Sequence, residues 1–306
     1  MGSAAPSRPD RRPRVEGRVS QMPGFLLLLA LVLAGCLGGQ TVRFTEARGS
    51  REFTAQLFLP QGRQGPFPVV VLVHGTTGVD DRYDFHQPAL LQAGIGTFEV
   101  DIKTGIFTGP RDRPRPTTFE PFVFGALKAL RAIPAVDPRR IAIMGFSLGG
   151  HQSVRAASRS VAARWLDPGE PGFAAHVGFY PSCRFLESFF AQEAPAGARI
   201  LILAGEVDSY GDGSSCPRLV DLLNRRQPGI ASLHLYPQVH HAFDRAGGAS
   251  FYDPAAINQR GYNQWDGAAA RDSRRRAVEF LRKALGIEDQ PEGAPQSRRG
   301  QGGETA

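Results

Sequence analysis

The feature that most constrains this 306-residue chain is a series of short, wholly apolar runs separated by helix-length segments. The run PVVVLVH (68–74) shows no polar alternation, the mark of a strand covered on both faces. Comparable runs follow at 96–102, in RIAIMGF (140–146), AAHVGFYP (174–181), RILILAGEVD (199–208) and SLHLYP (232–237). Helical patterns fall between and after them, near 86–93, 119–133, 148–165, 216–226 and 267–285; the second carries Phe122, Leu127 and Leu130 on one face. Ahead of the series, TVRFTEA (41–47) and REFTAQLFL (51–59) alternate in and out and read as an antiparallel pair turning at Arg48-Gly49-Ser50. Strands alternating with helices require crossover connections of one hand, so the expected fold is α/β: a mainly parallel sheet covered by helices on both faces, spanning residues 41–285. The Gly-, Pro-, Arg- and Gln-rich tail, 286–306, is expected to be disordered.

The segment before this domain has a different character. Residues 1–24 are rich in Arg, Pro, Gly and Ser, and the apolar run Phe25 to Gly35 is about half of the roughly 20 residues that cross a bilayer. A multi-span membrane protein is therefore excluded, and the run fits the core of a secretory signal. Leu33-Ala34-Gly35-Cys36 resembles the lipobox of bacterial lipoproteins, which implies cleavage before Cys36, acylation of its thiol, and a cell-envelope or periplasmic location with membrane contact through that lipid alone. A plain signal peptide ending near a cysteine is the alternative, and Met22 is an alternative start. The formal charge of +7 does not suggest a nucleic-acid partner. Five arginines lie before Cys36 against Asp10 and Glu16, and no basic stretch interleaved with aromatics accompanies them. With three cysteines, a disulfide scaffold is excluded. Export would nevertheless place Cys183 (in YPSC) and Cys216 (in DGSSC) in an oxidising compartment, on neighbouring loops at one end of the sheet, where they are expected to pair; two separate thiols are the alternative.

Open α/β sheets collect their ligand sites beyond the carboxyl ends of the strands, and three strand ends here supply reactive side chains. RIAIMGF runs into Gly145-Phe146-Ser147-Leu148-Gly149-Gly150 and then a helix. In a chain with 36 glycines a G-x-S-x-G match alone is weak, but its place between strand and helix is informative. A serine in so sharp a turn needs small neighbours, and the turn lifts its hydroxyl above the sheet. RILILAGEVD ends on Asp208, with Glu206 and Asp212 as alternates; SLHLYP leads to His240-His241. The order Ser, Asp, His suits nucleophilic catalysis: a serine hydroxyl attacks poorly until an imidazole takes its proton, and a carboxylate fixes that ring's tautomer.

With these motifs the chain resembles the α/β-hydrolase superfamily and, within it, the dienelactone hydrolase family. The resemblance covers roughly 45–285 and rests on HGTTG (74–78), MGFSLGG, GEVD and YPQVHHAF. It implies Ser147 as nucleophile, His241 rather than His240 as base, Asp208 as its orienting acid, and an oxyanion hole made by the backbone N–H groups of Thr76 (Thr77 second) and Leu148. The family's eponymous enzymes carry a cysteine nucleophile, so the serine here implies a general carboxylic esterase working through an acyl-enzyme on small-molecule esters. No metal-ligand spacing and no G-x-G-x-x-G after a strand is present, so no cofactor is expected. His86, His176 and His234 read as structural or surface residues, and His151, on the helix after the serine, as a packing or substrate-adjacent one. Loops 79–86, 104–118 and 251–265 are the expected substrate-selecting segments. Two other functions remain compatible with these residues, a small serine peptidase and a catalytically silent binding lipoprotein of the envelope.

Overall fold

In the computed structural model, which describes residues 38–103, 119–210, 212–248, 250–253 and 261–287, the apolar runs form the middle of one eight-stranded sheet. Strand β1 (Gln40–Thr45) pairs antiparallel with β2 (Glu52–Phe58), and β2 pairs antiparallel with β4 (Gly96–Val100). From β4 the sheet continues in parallel through β3 (Phe67–Val73), β5 (Val136–Phe146), β6 (Ala175–Phe179), β7 (Arg199–Gly205) and β8 (Ala231–Tyr236), in the order β1-β2-β4-β3-β5-β6-β7-β8. Among the described residues, no helix is long and apolar enough to cross a membrane.

Successive residues of a strand face opposite sides of the sheet, which is why the central strands are apolar throughout. On one side Val69, Val71, Val73, Ile141 and Ile143 pack with Phe122, Val123 and Leu127 of α2 (Glu120–Arg131). On the other, Val70, Leu72, Ala142 and Met144 pack with Leu90 of α1 (Arg82–Gln92) and with Ala277 and Leu281 of α7 (Gly267–Ala284). The start of α7 is fixed by Asp266, whose carboxylate accepts the N–H groups of Ala268 and Ala269 at 3.0 and 2.9 Å.

Three readings of the chain are corrected. The helix expected over 148–165 is two helices, α3 (Leu148–Arg155) and α4 (Arg159–Trp165). Ser158 separates them: it takes an extended conformation, caps α4 by accepting the Val161 N–H, and bridges to Pro195. A helix not expected from the sequence, α5 (Cys183–Phe190), fills the β6–β7 connection and buries Cys183, Leu186 and Phe190 against α6 (Cys216–Arg226). Most of segment 79–86, expected to be a substrate loop, belongs to α1, where Arg82, Tyr83 and His86 are buried. Ile287 packs on the α7 side of the core; residues 288–306, where the tail is expected to be disordered, lie outside the described residues, as do Cys36 and loop 104–118.

Candidate active site

Three main-chain contacts force the turn that follows β5. Ser147 sits at φ 56°, ψ −113°, a conformation that side-chain-bearing residues rarely adopt and that the flanking glycines make reachable. A Cβ on Gly145 would lie 2.1 Å from the Gly149 carbonyl oxygen, and one on Gly149 would lie 2.1 Å from that of Val73, so neither position accepts a larger residue. The Ser147 N–H donates to Phe179 O at 3.0 Å, tying the turn to β6. The Ser147 hydroxyl is left pointing above the carboxyl ends of the strands.

Two other strand ends bring their side chains to it. The Ser147 hydroxyl donates to His241 Nε2 over 2.9 Å, and His241 Nδ1–H donates to Asp208 Oδ2 over 2.8 Å. Asp208 and His241 are 4% and 5% exposed, dry enough for these polar contacts to be strong. The alternates lie elsewhere. Glu206 accepts the Gln238 N–H, Asp212 accepts the hydroxyls of Ser214 and Ser215, and the His240 ring lies edge-on to Tyr262. His151 is buried in α3, and burial together with the nearby Arg155 charge pulls its pKa down to about 3.

Thr76 and Thr77 occupy an exposed turn closed by pairing of Gly75 with Gly78. The turn abuts Ser147, since a Cβ on Gly75 would lie 3.4 Å from the Ser147 Cβ. Its position is held from beneath by His74, which is buried and keeps a lowered pKa through loss of solvation. His74 Nδ1–H donates to Gly75 O at 2.7 Å, while Nε2 accepts the N–H groups of Ile102 and Lys103 at 2.9 and 3.1 Å. From the other side, Lys103 Nζ donates to Thr77 O at 2.8 Å. Leu148 opens α3, where a backbone N–H has no acceptor within its own helix. Cys183 and Cys216 form a disulfide with Cα atoms 5.0 Å apart, bracing the starts of α5 and α6 beside the Asp208 loop.

The sequence reading missed a buried polar network behind the triad. Asp80 receives Arg82 Nε at 2.7 Å together with a second bond from Nη2, and Arg82 Nη1 donates to the Tyr180 hydroxyl at 3.2 Å. Tyr180 donates in turn to Asp244 Oδ1, whose other oxygen accepts His86 Nε2–H at 2.8 Å. Burial opposes the charge on Arg82, but the Tyr180 oxygen, Asp80 and Asp244 outweigh it and raise its pKa. Burial first, then Asp244, pushes the Tyr180 phenol well above its ordinary range, so it stays a donor. The network joins the segment leaving the HGTTG turn to the one leaving His241. Its only sequence signal is an Asp placed after HHAF and an Asp-x-Arg placed after HGTTG.

Among the described residues, no group of three or more His, Cys, Asp or Glu side chains is placed to hold a metal ion. The arrangement can pass a hydroxyl proton to an imidazole and direct the start of α3 at a developing oxyanion.

Similar proteins place this geometry in context. The esterase FrsA of Escherichia fergusonii is 30% identical over 110 residues, 36% of this chain and 26% of that protein. The FrsA of an Enterobacter species is 31% identical over 125 residues, 39% of this chain and 30% of that protein. The chain thus spans under a third of the length of those relatives. Esterase 2 of Thermogutta terrifontis, in a structure phosphorylated by paraoxon, superposes with a TM-score of 0.62 at 14% identity, over 81% of this chain and 94% of that one. A dienelactone hydrolase-like promiscuous phosphotriesterase from metagenomic libraries gives a TM-score of 0.55 at 17% identity, over 81% and 99%. At such identities the likeness is one of fold. The model of the dienelactone hydrolase family, however, matches residues 53–285, the whole stretch that carries the three strand-end residues and the HGTTG turn, and this chain belongs to that family.

Proposed function

We propose that this protein is an exported serine hydrolase that cleaves small carboxylic esters through an acyl-enzyme. The observation that carries the reading is the continuous hydrogen-bond chain from Ser147 through His241 to Asp208, assembled from three strand ends around a strained turn. Ser147 attacks the ester carbonyl while His241 Nε2 takes its proton, and Asp208 holds the ring in the tautomer that leaves Nε2 open. The oxyanion is received by the backbone N–H groups of Thr76 and Leu148; removing one such donor typically costs about 3–4 kcal/mol of barrier. His241 returns its proton to the leaving alcohol, then activates a water that releases the acid and restores Ser147. Esterase activity in the name of the FrsA relatives, and a neighbour captured phosphorylated by an organophosphate, support the same chemistry.

The test is hydrolysis of p-nitrophenyl esters from acetate to laurate, with Ser147→Ala as control and an organophosphonate probe read by mass spectrometry. Activity and label on the wild type, both lost in the variant, are the expected result. A folded wild type that neither hydrolyses nor labels would refute the reading and favour a silent envelope-binding protein. Export and a lipid on Cys36 belong to the same proposal, supported by the lipobox-like LAGC. Metabolic labelling with a palmitate analogue, lost in Cys36→Ala, tests them.

A further inference from the structure

The imidazole of His241 lies between two tyrosine rings. Tyr180 meets it edge-on, with centroids 4.6 Å apart and planes at 63°, and the Tyr180 hydroxyl is committed to Asp244 and Arg82. Tyr210 lies flat on it, with centroids 4.8 Å apart and planes at 30°. Tyr210 also touches the acid, because its backbone N–H donates to Asp208 Oδ1 at 2.8 Å while the other Asp208 oxygen holds His241. Its hydroxyl is tied down in turn. Asn263 Nδ2 donates to it at 3.3 Å, Asn263 bridges the backbone of His241, and the Gln264 N–H donates to His241 O at 3.1 Å. One residue thus contacts the acid through its main chain and the base through its ring, and the strand entering α7 fixes both.

This arrangement has a consequence for the reaction proposed above, on which the inference rests. His241 is neutral before attack and cationic once it has taken the Ser147 proton, and the face of a phenol ring carries the negative part of its quadrupole. A ring stacked on the imidazole therefore favours the protonated state, the one the transition state approaches, over the neutral one. We infer that Tyr210 is a positioning residue of the hydrolytic site, acting through His241 by stacking on the imidazolium as it forms and through Asp208 by its backbone N–H. The other groups facing His241 are Asp208, Ser147 and Tyr180, the last with Asp244 and Arg82 behind it.

The experiment measures kcat, KM and the pH profile of p-nitrophenyl butyrate hydrolysis in the full chain for Tyr210→Phe, Tyr210→Leu and Asn263→Ala. A series of increasingly fluorinated phenylalanines at position 210 keeps the ring shape while draining its face of electron density. Expected are near wild-type values for Tyr210→Phe and a kcat lowered about 3- to 10-fold in Tyr210→Leu at little-changed KM. The acid limb of the kcat/KM profile moves down by about half to one pH unit in the same variant. In the fluorinated series kcat falls stepwise, and Asn263→Ala, which removes the same hydroxyl contact as Tyr210→Phe, stays close to that variant. An unmoved acid limb in Tyr210→Leu, or a fluorinated series that is flat in kcat, would overturn the inference even with an active wild type, and leave Tyr210 a mere packing residue. A loss in Tyr210→Phe equal to that in Tyr210→Leu would overturn it as well, by assigning the effect to the hydroxyl. An inactive wild type that takes no phosphonate label on Ser147 refutes the hydrolase reading itself and this inference with it.

Discussion

Replacing Asp244 tests whether the buried network behind His241 holds together the segment after HGTTG and the segment after His241. The carboxylate is fully buried, receives the Tyr180 hydroxyl on one oxygen and accepts His86 Nε2–H on the other at 2.8 Å. In Asp244→Ala the Tyr180 proton and the His86 N–H both lose their acceptor in a site without solvent, and each stranded donor costs about 1–3 kcal/mol. Arg82 keeps its two bonds to Asp80 but loses the second anion of the cluster. The expected loss is about 3–5 kcal/mol, the range for breaking one side of a buried charged contact. For a domain of this size it corresponds to a fall in melting temperature of roughly 10 °C. Asp244→Asn should lose about half as much, because its carbonyl still accepts from Tyr180 and His86 can meet the new N–H by moving its own proton to Nδ1. Urea unfolding and thermal melts read both variants against the wild type. Asp244→Ala within about 1 kcal/mol of wild type, or no difference between Ala and Asn, would refute the assignment of these bonds as load carriers.

Two further outcomes follow from other parts of the molecule. Burial holds His176 near pKa 4 and His151 near 3, and lowers His74 in the same direction, so all three are neutral when folded but protonate near 6.5 when unfolded. Between those values the unfolded chain binds more protons, so stability is fully present above pH 6.5 and is lost as pH falls toward 4. Melting temperatures measured from pH 7 to pH 4.5 should fall, and His151→Gln and His176→Gln should each flatten the slope. The Cys183–Cys216 crosslink closes a ring with a sequence separation of 33, for which loop entropy predicts about 3–4 kcal/mol of stabilisation. Cys183→Ala with Cys216→Ala should lower the urea midpoint accordingly, and an unchanged midpoint would assign the bond no stabilising part.

Much of this was legible from residue order, and most of the exceptions share one cause. The apolar runs at 68–74 and 140–146 became β3 and β5, because burial on both faces leaves a mark that needs no knowledge of neighbours. GFSLGG was readable for the same reason: the contacts that exclude a Cβ at Gly145 and Gly149 come from residues of the turn itself and the adjoining strand. Segment 79–86 reads as a loop above the sheet, whereas His86 finds its acceptor 158 residues away and Arg82 reaches Tyr180 across 98. Pairings of that separation depend on strand order, which no local pattern encodes. The break at Ser158 is likewise set by a partner outside the helix, at Pro195, while α5 spans only eight residues, fewer than the roughly 10–12 at which a helical pattern is told from a short apolar run.

The disulfide also divides the chain in a way that bears on proteolysis. Asp208 lies inside the covalent ring that runs from Cys183 through α5 and β7 to Cys216, while Ser147 and His241 lie outside it. A protease that cuts the exposed stretch at 196–197, next to Gly197, would open the backbone yet leave the two halves of the molecule joined through the bridge. Strand β7 would stay paired between β6 and β8, and the acid would remain beside its histidine. A nick there would register on a reducing gel long before it registered in an activity assay.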